Sequence, residues 1–272
     1  MKKTVSLILV ILAVVAVLFT ATSCAEKTDV ETIKKNGKIV IGVTDYAPFD
    51  YEENGEWVGF DADMAKLLGE KLGVDVEFIE IDWENKVTEL KSKKIDLIWN
   101  GMTMTDELAK EMDFSNAYAQ NSQVIVISAA NAADFTSLDA LNGKKIVVES
   151  GSAGESAAVE QFGEANVTGL PGQTKALFEV QAGTADAAVV DFSIAKSLCG
   201  SGDYAGLQIM DDIRIGEELF AVGIRKGSDL LNEVNGLFVE CYNNGKMAEL
   251  QAKYGAQEDG SNSIALRDPS AK

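Results

Sequence analysis

Short apolar runs alternate with amphipathic stretches over most of this chain. Seven runs of six to eight residues stand out: KIVIGVT, VDVEFIEI, IDLIWNG, QVIVIS, KKIVVES, DAAVVD and LFAVGI. They are rich in branched aliphatic side chains and bounded by polar or glycine-containing segments, the pattern of buried strands. Helical patterns lie between most of them. After Gly59-Phe60-Asp61, for example, Met64, Leu67, Leu68 and Leu72 recur at the spacing of one helix face. Strand and helix in alternation predict an α/β architecture. No repeat of about 20–50 residues is evident. With only three prolines, no proline-rich linker marks a domain boundary.

The most informative segment is YAPFDYEENGEWVGFDAD, Tyr46 to Asp63. The apolar run before it delivers Tyr46 to the rim of a sheet, where open α/β folds place ligands. A polar, glycine-containing turn follows, and then the helix that starts at Phe60. Taken alone, Tyr46 and Phe49 could equally be loop-packing aromatics.

The first residues are Met-Lys-Lys, then an apolar run from Val5 to Phe19, then small residues up to Cys24. A basic start, a short apolar centre and a small-residue cleavage region form a secretory signal. The run is shorter than the ~20 residues a spanning helix needs. Ala21-Thr22-Ser23-Cys24 resembles the lipobox of bacterial lipoproteins, although Ala21 stands where the usual leucine would be. That resemblance implies lipidation of Cys24, an extracytoplasmic chain and a membrane tether; plain cleavage and secretion is the other reading.

Composition removes some chemistries. There is no histidine and no Cys-x-x-Cys, so the usual zinc sites and histidine-based triads are excluded, and no metal or other cofactor is expected. The formal net charge of −19, which loss of Lys2 and Lys3 would take to −21, argues against nucleic acid as a partner. It weakly favours cationic ligands.

A series of segments resembles, in order, the bacterial extracellular solute-binding proteins of polar amino-acid ABC transporters. They are YAPFDY, GEWVGFDADMAKLLGEKLG, DWENKVTELKSKKIDLIWNGMTMT, MDFSNAY, LNGKKIVVESGSAGE, ADAAVVD, AVGIRKGSD and the closing helices through KYG. The resemblance covers about Lys38 to Gly255. It implies a two-lobed α/β fold of the periplasmic-binding-protein type II, with two open, mostly parallel sheets joined by two hinge crossovers. The implied boundaries are a signal peptide at 1–23, an N-terminal linker at 24–36, and lobe 1 at 37–122 and 217–256. Hinge and lobe 2 take 123–216, and the polar tail 257–272 is expected to be disordered. Cys199 and Cys241 would fall in different lobes, so a disulfide between them would lock the hinge; two buried free thiols are expected instead. The implied partners are a small-molecule ligand and an ABC-transporter permease, and the chain is expected to be a monomer.

The resemblance also implies site residues. Tyr46 and Trp83 would cover the ligand side chain, and aromatic faces attract a cation by ~0.5–2 kcal/mol each. Asn100, Gly101 and Thr103 would bind the ligand's main-chain groups, with Thr105 capping the next helix. From lobe 2, the strand-to-helix turn at Ser152 would offer N–H groups to an anion, and Asp191 would pair with the ligand's ammonium.

One part of the family pattern is missing. The arginine that grips the α-carboxylate belongs at position 108, where this chain has Leu108, and no arginine precedes Arg214. The hydroxyl residue that often helps from lobe 2 is Ala153 here. Lys110 and Lys175 are the nearest lysines by sequence that could compensate. Three readings follow: an amino-acid binder with a rearranged carboxylate site; a binder of an amine or other cation without a free α-carboxylate; and a dehydratase-like enzyme, whose acid–base groups would be carboxylates such as Glu149 or Glu155.

Overall fold

The computed structural model describes residues 28–210 and 213–271. The expected export segment and Cys24 therefore lie outside the described residues. In chain order the first part comprises α1 (Asp29–Asn36), β1 (Lys38–Val43), the hairpin strands β2 (Tyr51–Glu53) and β3 (Glu56–Val58), α2 (Phe60–Leu72) and β4 (Asp75–Glu80). Then come α3 (Lys86–Lys91), β5 (Leu97–Ile98), the single turn α4 (Leu108–Glu111) and β6 (Asp113–Phe114). The long strand β7 (Ala119–Ser128) leads to β8 (Ile146–Glu149), α5 (Ala153–Phe162), β9 (Val167–Leu170), α6 (Gln173–Gln181), β10 (Ala187–Asp191), α7 (Phe192–Leu198) and β11 (Leu207–Ile209). The chain returns through β12 (Ile215–Phe220) and β13 (Gly223–Ile224) to α8 (Leu230–Asn243), α9 (Lys246–Gly255) and β14 (Ala265–Leu266).

Two sheets result. Lobe 1 has the order β4-β1-β5-β13-β6, with β1 parallel to β4 and β5. Lobe 2 has the order β11-β7-β10-β8-β9, with β8 parallel to β9 and β10. The parallel pairs come from strand–helix–strand units, which cover both faces, so these strands read as nearly continuous apolar runs. The run LFAVGI divides in two: its first residues end β12, and Gly223 and Ile224 enter the lobe-1 sheet as β13.

Two connections run between the lobes side by side. β12 pairs antiparallel with the first half of β7, from Phe220 opposite Ala119 to Ile215 opposite Gln123. The second half of β7 lies inside the lobe-2 sheet against β10. This short ladder is the hinge. Cys199 lies just after α7 in lobe 2 and Cys241 on α8 in lobe 1; both thiols are free, with Cys241 buried and Cys199 half-buried.

Two terminal segments depart from the sequence reading. Residues 29–36 form α1 rather than a linker: Thr28 caps the helix by accepting from the Glu31 amide, and Val30 and Ile33 are buried. Arg225 fixes α1 to lobe 1 through Asp29 at 3.2 Å and also pairs with Asp96 at 3.0 Å. The tail, expected to be disordered, adds β14 to β7 opposite Ala119 and Gln120, and buries Ser263 and Ile264. Its polar composition hid one apolar anchor, Ile264, and backbone groups that complete an otherwise open strand.

Lobe 1 packs six large aromatics at its centre, Phe49, Phe60, Trp99, Tyr118, Phe220 and Phe238, all under 2 % exposed. Two carboxylates, Asp50 and Asp61, are fully buried among them. Asp50 accepts from the Asn100 side chain at 2.8 Å. Asp61 accepts from the Gly101 amide at 2.7 Å and from the Tyr118 hydroxyl at 2.6 Å. The second oxygen of each has no hydrogen-bond partner. Burial pushes both carboxyls up, Asp50 further because Asp61 is beside it, and Asp61 to about 7. Unfolded aspartates titrate near ~4. Between that value and about 7 the folded chain therefore holds protons that the unfolded chain has released, and stability falls as pH rises through the window. Asn at position 50 keeps the acceptor for Asn100 and removes one titrating group. The drop in Tm between about pH 5 and about pH 8 is expected to be smaller in Asp50→Asn than in wild type. Equal drops in thermal melts would show that this pair does not carry the dependence.

Candidate functional site: the cleft between the lobes

Strand ends from both sheets meet around one cavity. Tyr46, Trp83, Asn100, Gly101, Thr103, Ser152 and Asp191, the residues singled out from sequence, all line it. The lobes are in contact across it. The Tyr46 hydroxyl meets Ser193 Oγ of α7 at 2.7 Å, and Lys86 Nζ of α3 donates to the Gly151 carbonyl at 2.8 Å.

Several of these residues have their polar atoms already engaged. The side chain of Asn100 is used below the floor: it accepts from Thr44 Oγ1 at 2.6 Å and donates to the Thr44 carbonyl and Asp50. The Gly101 amide belongs to Asp61. Gly101 itself has φ +53, and a Cβ there would stand 2.3 Å from Tyr46 Cε1, so its absent side chain makes room for the ring. Tyr46 stacks on Phe49 with centroids 5.4 Å apart. Thr103 Oγ1 donates to Glu218 at 3.1 Å. Ser152 caps α5 by accepting from the Glu155 amide at 3.0 Å, and Thr105, expected as the cap of the next helix, accepts from the Leu108 amide at 3.2 Å from two residues before the N-cap Glu107 of α4.

Asp191 ends β10 and is 5 % exposed. Its Oδ1 accepts from Asn121 and Gln123, both at 2.6 Å, and its Oδ2 from Gln173 at 2.5 Å. All three donors are neutral carboxamides. Burial and then the nearby Glu218 push the carboxyl up to about 7. Glu218 on β12 shares Asn121 and Gln123 with it, at 3.0 and 3.1 Å. Because Gln123 Nε2 must donate to these carboxylates, its Oε1 is turned away, buried and without a partner.

Sequence reasoning missed part of the lining. Lys86 lies three residues after Trp83 and one helical turn further on, a spacing that shares a face; its Nζ sits 4.9 Å from the Trp83 ring centre. Glu149, named from sequence only as an acid–base group of the enzyme reading, ends β8, the strand parallel to β10, so it and Asp191 share a sheet edge. Burial, and then Asp191, raise its carboxyl to about 8. Gln123 and Gln173 also line the cavity. The two lysines proposed as compensating cations do not. Lys110 is exposed, and Lys175 pairs with Glu179 at 2.9 Å on its own helix, over Phe178. Leu108 and Ala153 do line it. Among the described residues no cluster of metal-ligating side chains occurs.

Two lobes on a two-stranded hinge, closed over a polar cavity built from strand ends, define a solute-binding protein of the periplasmic type. Residues 39–257 match the bacterial extracellular solute-binding proteins, family 3, and the chain belongs to that family. It is similar to the arginine-binding extracellular protein ArtP of Bacillus subtilis (strain 168), with 31% identity over 90% of this chain and 96% of that protein. Among solved structures it is similar to a P235GK mutant of ArgBP from T. maritima, at 31% identity and TM-score 0.77, over 83% of this chain and 98% of that one. It is also similar to the ancestral amino-acid-binding protein AncCDT-1, described as a precursor of cyclohexadienyl dehydratase, at 34% identity and TM-score 0.75, over 83% and 98% of the two chains.

The tight approach at Gly101 has a measurable consequence. Gly101→Ala adds both a strained φ and a collision with Tyr46, and is expected to cost ~2–4 kcal/mol of stability. Gly143→Ala, with φ +73 but nothing within 4 Å, carries the backbone strain alone and should cost ~1 kcal/mol. Urea unfolding of both variants checks the difference; equal losses would mean that Tyr46 yields freely.

Proposed function

We propose that this chain captures an amino acid outside the cytoplasm and presents it to an ABC-transporter permease by hinge closure. The ammonium of the ligand sits on Asp191. The observation that carries this is the state of that carboxylate: it is buried, held by three neutral donors, and without an ion-pair partner among the described residues. A buried anion in that state is costly unless a cation arrives. Tyr46 and Trp83 supply apolar and π surface for the side chain.

A cationic side chain, with arginine foremost, fits the lining best. Asp45 and Asp191 face the cavity, Glu149 joins them as a charge only near its raised value of about 8, and Lys86 is the one cation in the lining among the described residues; relatives named for arginine binding span nearly the whole chain. The chain acts as a monomer tethered through lipid on Cys24. An amine without a carboxylate is the second reading, and Leu108 in the cavity wall is what favours it.

Calorimetric titration with arginine, lysine, glutamine, glutamate and cystine tests the first reading; no heat with any of them removes it. Asp191→Asn is expected to weaken the bound amino acid by at least ~2 kcal/mol with the fold intact, and unchanged affinity would place the ammonium elsewhere.

The pH dependence has a definite sign. The ligand pairs with ionised Asp191, whose carboxyl is pushed up to about 7 before binding. Below that pH, binding must expel a proton, so affinity falls by up to about tenfold for each unit of acidification. Titrations in two buffers of different ionisation heat should show proton release in wild type and less of it in Asp191→Asn.

A further inference from the structure

We infer that Lys86 is the anchor for the ligand's carboxylate, a role that Leu108 on α4 cannot fill. The inference rests on the reading that the ligand is an amino acid. Lys86 is 5 % exposed, yet the partners of its ammonium are two carbonyls, those of Trp83 at 3.1 Å and Gly151 at 2.8 Å. An ammonium has three N–H donors. Among the described residues no carboxylate comes within 4.0 Å of it.

The charges around it leave that position open. Glu149, Glu155, Glu84 and Asp82 act on Lys86 from further away. The Glu155 carboxylate is engaged by the Gly151 amide at 2.8 Å. Glu149 keeps its proton at neutral pH, since its carboxyl is raised to about 8. Burial accordingly draws the Lys86 ammonium below its usual range.

The cavity thus contains a buried cation whose partners are carbonyls and a buried anion whose partners are carboxamides and the Tyr46 hydroxyl, all of them neutral. Each is costly alone. A zwitterion resolves both at once, with its ammonium on Asp191 and its carboxylate on Lys86. The carbonyl that Lys86 touches belongs to the turn that opens α5, where Ser152 and Ala153 line the cavity. A carboxylate beside Lys86 therefore also meets the first N–H groups of a ten-residue helix. Lys86 comes from lobe 1 and the helix start from lobe 2, so this anchor is complete only when the lobes are closed.

The test compares arginine with agmatine, which is arginine without its carboxylate, on the purified protein and on two variants. Lys86→Gln keeps an N–H for the Gly151 carbonyl and loses the charge; Lys86→Met loses both. Thermal melts first establish that each folds. In wild type, arginine is expected to bind at least about tenfold more tightly than agmatine. Both variants should weaken arginine by about tenfold or more and leave agmatine within about threefold. If arginine and agmatine weaken alike, Lys86 is only a strut between the lobes and the inference falls. It also falls if neither ligand is affected, or if wild type binds agmatine as tightly as arginine.

If another amino acid proves to be the ligand, the same comparison runs with its own decarboxylated amine. An acidic amino acid, with and without its side-chain carboxylate, then separates anchoring of the α-carboxylate from anchoring of a side-chain one. Failure of the functional reading shows in wild type, which then binds no amino acid and offers Lys86 no carboxylate to hold. Failure of the inference alone shows in the variants.

Discussion

The hinge ladder is the constraint on which the site depends. β7 and β12 pair for only a few residues, yet those residues carry Asn121, Gln123 and Glu218. Along a strand, positions two apart share a face, so Asn121 and Gln123 both turn toward the end of β10. There they hold Asp191 in place, while Glu218 on the partner strand faces the same two carboxamides. The strands that join the lobes are therefore also the strands whose side chains hold Asp191. Glu218 on β12 is the neighbouring charge that raises the Asp191 carboxyl, so the titration of Asp191 is tied to a hinge strand.

The cavity separates its charges instead of pairing them internally. Asp191 and Lys86 line the same space, but each is satisfied by neutral groups of its own surroundings. Such groups hold a charged side chain in position without neutralising it. A partner that brings complementary charge then gains the full benefit of a desolvated site. Leu108 offers only methyl groups at the wall where the resemblance implied an arginine, and the cation that lines the cavity, Lys86, comes from the same lobe, on the helix that begins after Trp83.

Beneath the floor lies a second, buried polar layer. Asn100 bonds Asp50, and separately the Gly101 amide and Tyr118 bond Asp61, all among six packed aromatics. The loop from Asn100 to Thr103 follows the short strand β5 and has little regular structure of its own. The buried carboxylates hold it by its amide and side chain, leaving Gly101 flat against the Tyr46 ring. Two partly unsatisfied carboxyls in a core are costly, and here they support the loop that shapes the floor.

Much of this protein was legible from sequence because the signals were local. The seven apolar runs, the helix after Gly59 and the turn at Ser152 depend on residues close in the chain, and the order of motifs identified the two-lobed fold. Every residue chosen for the site lies around the cavity, since strand ends in such folds converge by topology. Composition misled at the ends: α1 is short and polar and β14 is two residues within a polar tail, and both are held by contacts with distant residues such as Arg225 and β7. What only the tertiary structure decided was availability. Spacing brings Asn100, Gly101 and Thr103 to the cleft, but Asp50, Asp61 and Glu218, each about 40 residues or more away in the chain, determine that their polar atoms are already taken. In the same way Lys86 becomes a cavity cation only because closure sets Gly151 against it. Hydrogen-bond occupancy and desolvation are properties of the packed surroundings, and a linear pattern does not encode them.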